Sequence, residues 1–505
     1  MNAMSLSFVA IFVCITGVIT FLAAQKTKDS HSFYTGAKRI TSFQNGMAIA
    51  GDALSAGAFL GLTSLVYNKG YDGFVYAIGY TTGMPLVLFL FAEKIRRLGK
   101  YTFTDVVHAR LGGSAVRIFG GIATLVIVLF YLTAQLVGAG QLVGLLFGMK
   151  YCDGVILVAL LMVAYVNFGG MQATTWVQII KAAVMLFGGS VMTFLVLDAF
   201  DFNMSALLHA AVAQRSAGTA LLAPVTLPHA AASSVSLGLT LMLGTAGLPH
   251  VLMKFFTVSD VRKARWSVFW ATGLMNYFYV ITGVLGFGAM ALLSHDTRYL
   301  DEHGAVKGGG NMVALHLAHA LGGDLLLGFM SAIAFATILA VVSGLTLSGA
   351  AAVSHDLYGA VRSERNDGPS EFLVSRIATV LIGLIAMCLA FMFRTQNVAY
   401  MISLAFSIAC SSTFPILFLS IYWKRLSIAG AVWGGTAGLA SAVAMTIMGP
   451  SIWVAVLGHK EPLIALDPPT LLSMTLAFLV SVVCSLSSTS RTTGKETIKI
   501  ISQVP

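Results

Sequence analysis

The chain has 505 residues, of which 57% are apolar and only 10% are charged, and its formal net charge is +10. Soluble domains carry about a quarter charged residues, so this composition excludes an ordinary soluble domain and indicates a polytopic membrane protein. The positive charge does not predict a nucleic-acid partner, because in a membrane protein the distribution of Lys and Arg among the loops sets the orientation.

Apolar segments of about 20 residues, the length that crosses the hydrocarbon of a bilayer, recur along the whole chain. Backbone polar groups must be paired within lipid, so each segment is expected to be a helix and the fold class to be all-α. We predict thirteen such segments, at 5–24, 44–67, 73–92, 116–147, 154–170, 174–199, 234–254, 266–293, 325–354, 372–393, 397–422, 428–449 and 467–488.

Lys and Arg concentrate in the loops that follow odd-numbered segments, as in "EKIRRLGK" at 93–100. Positively charged loops stay in the cytoplasm, so the pattern predicts a periplasmic N-terminus and a cytoplasmic C-terminus in a bacterial inner membrane. The first segment has a second interpretation as a secretory signal peptide, although no positive charge precedes its apolar run.

Two segments contain residues that weaken a helix near its middle. The second reads "GMAIAGDALSAGAFLG" at 46–61 and includes Asp52, and the seventh reads "GTAGLP" at 244–249. Glycine destabilises helix and proline removes a backbone donor, so both helices are predicted to be broken. They are five segments apart, which is the spacing of two inverted five-helix repeats that each begin with a broken helix.

This repeat predicts four regions. Residues 1–43 form an extra helix and a cytoplasmic loop, and residues 44–200 form the first repeat. Residues 201–425 contain an external loop and the second repeat, and residues 426–505 contain two extra helices and a cytoplasmic tail.

The sequence carries no motif of the common hydrolases, zinc proteases or phosphate-binding enzymes. We therefore expect a protein that moves a solute across the membrane, not an enzyme, and we expect no cofactor beyond a coupling ion. The alternative is a membrane sensor or channel that keeps the same architecture without coupled uptake.

Several runs resemble the sodium:solute symporter family, and within it the branch that takes up acetate. They are "FQNGMAIAGDALSAGAFLG", "GYDGFVYAIGY", "LGKYTFTDVVHARL", "FGGMQATTWVQIIKA", "GTAGLPHVLMKFFTVSD" and "SHDLY". The similarity extends from about residue 30 to about residue 480. It implies a leucine-transporter-like core of helices two to eleven that works by alternating access. The implied substrate is acetate or a related short monocarboxylate such as glycolate or propionate, carried with Na⁺ or H⁺.

The resemblance also implies where the coupling cation binds, since in this family it lies between the broken second helix and the ninth. On the second helix it indicates the carbonyls of Gly51 and Leu54, with Asp52 and Ser55 alongside.

On the ninth helix, many relatives have two adjacent hydroxyl residues, which would fall here on Ala340 and Val341. Neither has a hydroxyl, although Thr337 and Ser343 lie near enough in sequence to contribute oxygens. A sodium site that lacks two ligands is expected to be weak. Proton coupling therefore remains open, with Asp52 as the candidate carrier inside the membrane.

For a monocarboxylate, recognition is expected to rely on backbone N–H groups, hydroxyls and an apolar wall. The candidates at the substrate site are Tyr131, Gln135, Thr245, Ala246, Gly247, Phe59 and Phe406. Gln135 has a second interpretation as a bond between helices. Another small organic solute, such as pyruvate, lactate or a proline-like molecule, is the alternative substrate class. The expected partners are thus the solute, the cation and membrane lipids.

Overall fold

The structure, a computed structural model, describes residues 7–8, 10–11, 14–15, 17–18, 40–98, 102–215, 217–223, 228–361 and 368–488; the side chains at 168–173, 228–230 and 368–370 are not described. Within these ranges the chain is helical, with one isolated β-bridge between Leu300 and Val306 and no strand. The predicted all-α class is confirmed.

Seven helices lie between residues 42 and 198, the region predicted to form the first repeat. They are α1 (Ser42–Ala53), α2 (Leu62–Lys69), α3 (Tyr71–Leu90), α4 (Ala92–Leu98), α5 (Phe103–Leu111), α6 (Ser114–Phe147) and α7 (Tyr151–Asp198). A short π-helical segment, Gly57–Gly61, leads into α2.

Ten further helices follow. They are α8 (Met204–Ala213), α9 (Pro228–Thr245), α10 (Pro249–Met253), α11 (Val261–Leu293), α12 (Val313–Ala351), α13 (Tyr358–Val361), α14 (Gly368–Met392), α15 (Val398–Tyr422), α16 (Ile428–Met448) and α17 (Thr470–Ser487). A π-helical segment, Ala352–Leu357, joins α12 to α13.

Ten described helices are long and apolar enough to cross a bilayer, and the bent pair of α1 and α2 makes eleven. The fifth predicted segment, 154–170, corresponds to the shorter apolar stretch Tyr151–Asn167 at the start of α7. α7 has 48 residues, about 70 Å at 1.5 Å per residue, which is roughly twice the thickness of the hydrocarbon of a bilayer. The first predicted segment, 5–24, lies mostly outside the described residues, so the count of thirteen stays a prediction.

The ninth predicted segment, 325–354, lies within α12. Gly322 and Gly323 depart from helical dihedral angles, with φ of −140° and 59°, and separate a short arm from the long part of the helix. That long part is almost entirely buried, as is α15, whereas α14, α16 and α17 expose most of their surface. The long part of α12 and α15 thus belong to the buried core, and α14, α16 and α17 lie at its periphery.

Candidate functional site

The predicted break in the second helix lies between α1 and α2, whose axes differ in direction by 56°. Leu54 has non-helical dihedrals, φ −72° and ψ 69°. The Ser55 N–H donates to the carbonyl of Ala53 at 2.8 Å instead of continuing the helical pattern to Gly51. The Gly51 carbonyl therefore loses its usual donor from Ser55. A backbone oxygen released in this way can bind a cation.

Asp52 is the charged group at this break, and it is 1% exposed. Its Oδ1 accepts a hydrogen bond of 2.8 Å from Nε2 of Gln178 on α7. Its other oxygen, Oδ2, is buried and has no hydrogen-bond partner among the described residues. Buried carboxylate oxygens are normally paired, so this unpaired Oδ2 is an oxygen with the capacity to accept a cation or a proton.

Close packing brings α7 to this carboxylate. A Cβ built on Gly51 would lie 2.2 Å from the backbone oxygen of Gln178, a contact that real Cβ atoms do not make. Only glycine lets the two helices approach so closely. Gly51 therefore sets the distance across which Gln178 reaches Asp52.

The α12 helix covers the same carboxylate from another side. A Cβ on Gly344 would be 3.4 Å from Asp52 Oδ1. The predicted cation ligands of α12, Thr337, Ala340 and Ser343, are all buried. The Thr337 hydroxyl has no hydrogen-bond partner among the described residues, whereas that of Ser343 donates to the Leu339 carbonyl at 2.7 Å. Of these two predicted hydroxyl ligands, Thr337 is thus better able than Ser343 to accept a new ligand.

The predicted break in the seventh helix lies between α9, which ends at Thr245, and α10, which begins at Pro249. Leu248 is extended, with φ −77° and ψ 118°, as expected for a residue that precedes proline. The Gly247 carbonyl, released by the break, accepts from the Thr413 hydroxyl of α15 at 2.6 Å. Both sequence-predicted breaks are therefore present.

A small cavity of about 30 Å³ lies between the two breaks. Its wall is mostly apolar, with a few polar side chains. The polar residues that line it are Ser55, Tyr80, Tyr131, Thr245, His250 and Tyr279. Apolar walls with a small number of placed polar groups are typical of sites for small organic ligands.

Three of the predicted substrate residues, Tyr131, Thr245 and Phe406, line this cavity. Tyr131 and Ser55 both line the cavity, and the Tyr131 ring lies 5.2 Å from that of His250. The Thr245 hydroxyl donates to the Leu241 carbonyl at 2.7 Å. Residues of both broken helices and of α6 and α15 therefore meet at one place.

The other four predicted substrate residues lie outside the cavity lining. Phe59, Gln135 and Ala246 are fully buried, and the Gly247 carbonyl is bonded to Thr413. Both polar atoms of the Gln135 side chain lack hydrogen-bond partners among the described residues. The interhelical bond considered for Gln135 is thus not formed in this conformation.

Three further polar residues were not predicted as site residues. Gln178 contacts Asp52 directly, and Lys181 and Lys254 are fully buried and interact electrostatically with it. Lys181 stands within an apolar segment, and a charge at such a position is a signal of function. Lys254 is the last residue of the seventh predicted segment, where a basic side chain is expected to reach the membrane surface, so its burial has no counterpart in the sequence pattern.

A second polar cluster joins α5 to the end of α12. The Thr102 hydroxyl donates to Asp356 at 3.1 Å, and His355 Nε2 lies 3.0 Å from Asp105 Oδ1. One ligand atom from each of Asp105, His355 and Asp356 lies within 4.8 Å of the others, a geometry that could hold a metal ion. Because His355 and Asp105 already bond one another, the cluster acts as a connection between the two elements.

Comparison with solved structures shows the same architecture. A Na⁺-coupled sialic acid symporter in a substrate-bound outward-open state is 13% identical, with a TM-score of 0.76, and the match covers 96% of this chain and 98% of that one. MhsT in complex with L-phenylalanine is 15% identical, with a TM-score of 0.56 and coverage of 89% and 98%. Mhp1, a nucleobase-cation-symport-1 family transporter, is 12% identical, with a TM-score of 0.55 and coverage of 93% and 94%. The leucine-transporter-like fold that the family resemblance implies is confirmed.

The family model for sodium:solute symporters matches residues 33–438. This range includes both broken helices, α12 and the whole cavity wall. The chain is therefore a member of the sodium:solute symporter family.

Proposed function

We propose that this symporter imports acetate, or a related short monocarboxylate such as glycolate or propionate, together with Na⁺ or H⁺ by alternating access. The observation that carries the proposal is the cavity of about 30 Å³ between the two broken helices. Its apolar wall suits a methyl or ethyl group. Its few hydroxyl and imidazole groups suit one carboxylate. The resemblance to the acetate branch of the family, of which the bacterial acetate permease is the example, supports the same substrate class.

The charges around the cavity also favour an anion. His250 lines the cavity, and Lys254 follows one turn later on the same broken helix. Lys181 and Lys254 are both buried near the single carboxylate of Asp52. Two buried amines beside one buried carboxylate give a local excess of positive charge, which stabilises a carboxylate in a low-dielectric site.

For the coupling cation, we propose the position beside Asp52 Oδ2. The Gly51 and Leu54 carbonyls, the Ser55 hydroxyl and the Thr337 hydroxyl are the oxygens that would surround it, with Ala340 and Ser343 on the adjoining α12 surface. Both Asp52 Oδ2 and the Thr337 hydroxyl lack partners among the described residues, which supports this set.

Uptake of labelled acetate into proteoliposomes, with sodium and proton gradients imposed separately, tests the proposal. We expect accumulation above equilibrium with at least one gradient. Competition by glycolate, propionate, pyruvate, lactate and proline then defines the substrate class. Accumulation of none of these solutes with either gradient would refute a symport function and favour a sensor on the same fold.

We also propose an inner-membrane location with a periplasmic N-terminus. Lys94, Arg96 and Arg97 on α4 would then be cytoplasmic, in accordance with the positive-inside rule. Reporter fusions after α4 and after α6 test this orientation. Periplasmic activity of a reporter after α4 would refute it.

A further inference from the structure

The coupling-cation site contains a lysine that a sodium site does not need. Lys181 follows Gln178 by three residues on α7, so the two side chains lie on one face of the helix. The Gln178 amide is 2.8 Å from Asp52 Oδ1, which directs that face toward Asp52. Lys181 is fully buried, and its Nζ has no hydrogen-bond partner within the described part of the chain.

The Asp52 carboxylate and the Lys181 ammonium, which both lack hydrogen-bond partners for a buried atom in the described part of the chain, carry opposite charges. Asp52 Oδ2 and Lys181 Nζ are each buried without a hydrogen bond among the described residues, and the two side chains interact electrostatically. An isolated charge in a membrane interior is very unfavourable, and ionisable groups there pair with one another. Within the described residues no ion pair of 4.0 Å or less joins the two groups, so Lys181 is placed to balance the charge of Asp52 through space and not by direct contact.

The α12 side of the site is poor in ligands for a metal ion. Ala340 and Val341 are apolar, Ser343 donates to its own helix, and Gly344, whose Cβ would lie 3.4 Å from Asp52 Oδ1, has no side chain. Among the predicted α12 ligands, this leaves the Thr337 hydroxyl, which has no hydrogen-bond partner within the described residues. A sodium ion at Asp52 Oδ2 would gain few oxygens from α12 and would be repelled by the nearby ammonium group.

We propose that the Lys181 ammonium is a built-in counter-charge of Asp52, and that it makes the cation site unable to bind sodium. Lys181 is thus a specificity-determining residue for the coupling ion. This inference rests on the proposed symport function, and it implies that acetate uptake is independent of sodium and coupled to protons. The other ionisable groups that interact electrostatically with Asp52 are Tyr131 on α6, His250 on α10 and Lys254 just after it.

Sodium binding to the purified protein tests the inference without any transport. We expect the melting temperature of the wild type to be the same in sodium as in choline at equal ionic strength. Lys181→Met removes the ammonium and is expected to gain a sodium-specific rise in melting temperature. Addition of Ala340→Ser and Val341→Ser to that variant restores two oxygens and is expected to increase this rise.

Two control variants separate the role of Lys181 from that of positive charge in general. Lys181→Arg keeps the charge and is expected to remain insensitive to sodium. Lys254→Met removes the other buried lysine and is expected to remain insensitive as well. A sodium-specific rise in the wild type, or an equal gain in Lys254→Met, would overturn the proposal, and so would a folded Lys181→Met protein that ignores sodium.

If Lys181→Met does not fold, the wild-type measurement still decides whether sodium binds. The transport assay distinguishes failure of the Lys181 proposal from failure of the proposed symport function. A wild type that accumulates acetate only with a sodium gradient refutes the role of Lys181 but keeps the symport function. A wild type that accumulates nothing refutes the symport function, while its sodium response still reports on the site.

Discussion

Gly51→Ala perturbs the site by the smallest possible change. The new Cβ would lie 2.2 Å from the Gln178 backbone oxygen, so α1 and α7 must separate by about 0.8 Å to reach the 3.0 Å below which real Cβ contacts essentially do not occur. The obstacle is backbone, so no side-chain rotation relieves it. Overpacking of this kind costs about 1–3 kcal/mol, which outweighs the gain of about 0.5–1 kcal/mol from replacing glycine by alanine in a helix.

This displacement also moves the hydrogen bond between Gln178 and Asp52. A misplacement of about 1 Å can reduce the rate of a positioned reaction by about 100-fold. We therefore expect Gly51→Ala to lower the initial rate of acetate uptake by at least about tenfold, together with a lower melting temperature.

The assay is uptake into proteoliposomes that contain equal amounts of each variant, with melting followed in detergent. Gly238→Ala in α9 is the matched control, because a Cβ at Gly238 would meet nothing within 4 Å. We expect this variant to transport at the wild-type rate. Wild-type uptake and stability in Gly51→Ala would refute the argument from close packing.

Three further predictions concern other parts of the core. Asp52→Asn keeps an acceptor for Gln178 but removes the charge, so we expect solute to reach equilibrium without accumulation; a normal accumulation ratio would remove Asp52 from the mechanism. Gly244→Ala places a Cβ 2.5 Å from the Phe406 backbone oxygen, so we expect slower uptake, and an unchanged rate would contradict this. Asn311 is buried, and its side-chain oxygen accepts a hydrogen bond from the Val398 N–H at 3.0 Å. We therefore expect Asn311→Ala to destabilise the fold by about 1–3 kcal/mol, measured as a lower melting temperature. An unchanged melting temperature would contradict this and show that water replaces the amide.

The sequence predicted the helices well because their apolar length is a local property. The fourth segment, predicted at 116–147, is observed as Ser114–Phe147. The two breaks were predicted for the same reason, since glycine, proline and Asp52 are unfavourable in the middle of a membrane helix wherever they occur. The spacing of the breaks predicted two inverted repeats, and the family resemblance implied the leucine-transporter-like fold.

The partners of Asp52 could not be predicted in the same way. Gln178 is 126 residues away in sequence, and no periodicity in α7 identifies which face it turns toward α1. For Lys254, the sequence pattern gave a misleading indication, because a basic residue at the end of an apolar segment usually lies in solvent. The structure instead places Lys254, 2% exposed, directly after α10, the short helix that begins at the break.

Both broken helices are tied to α15, and this connection bears on how a solute could be passed between the two sides. At one end of α15, the Asn397 amide donates to the Gly61 carbonyl at 3.2 Å, next to the first break. Further along, the Thr413 hydroxyl donates to the Gly247 carbonyl within the second break. Each bond uses a carbonyl in or beside an irregular part of a helix, and α15 is buried along nearly all of its length. A rotation of either broken helix must therefore break a bond to α15 or move α15 with it. A two-state change of this kind couples the breaks to each other through one rigid element.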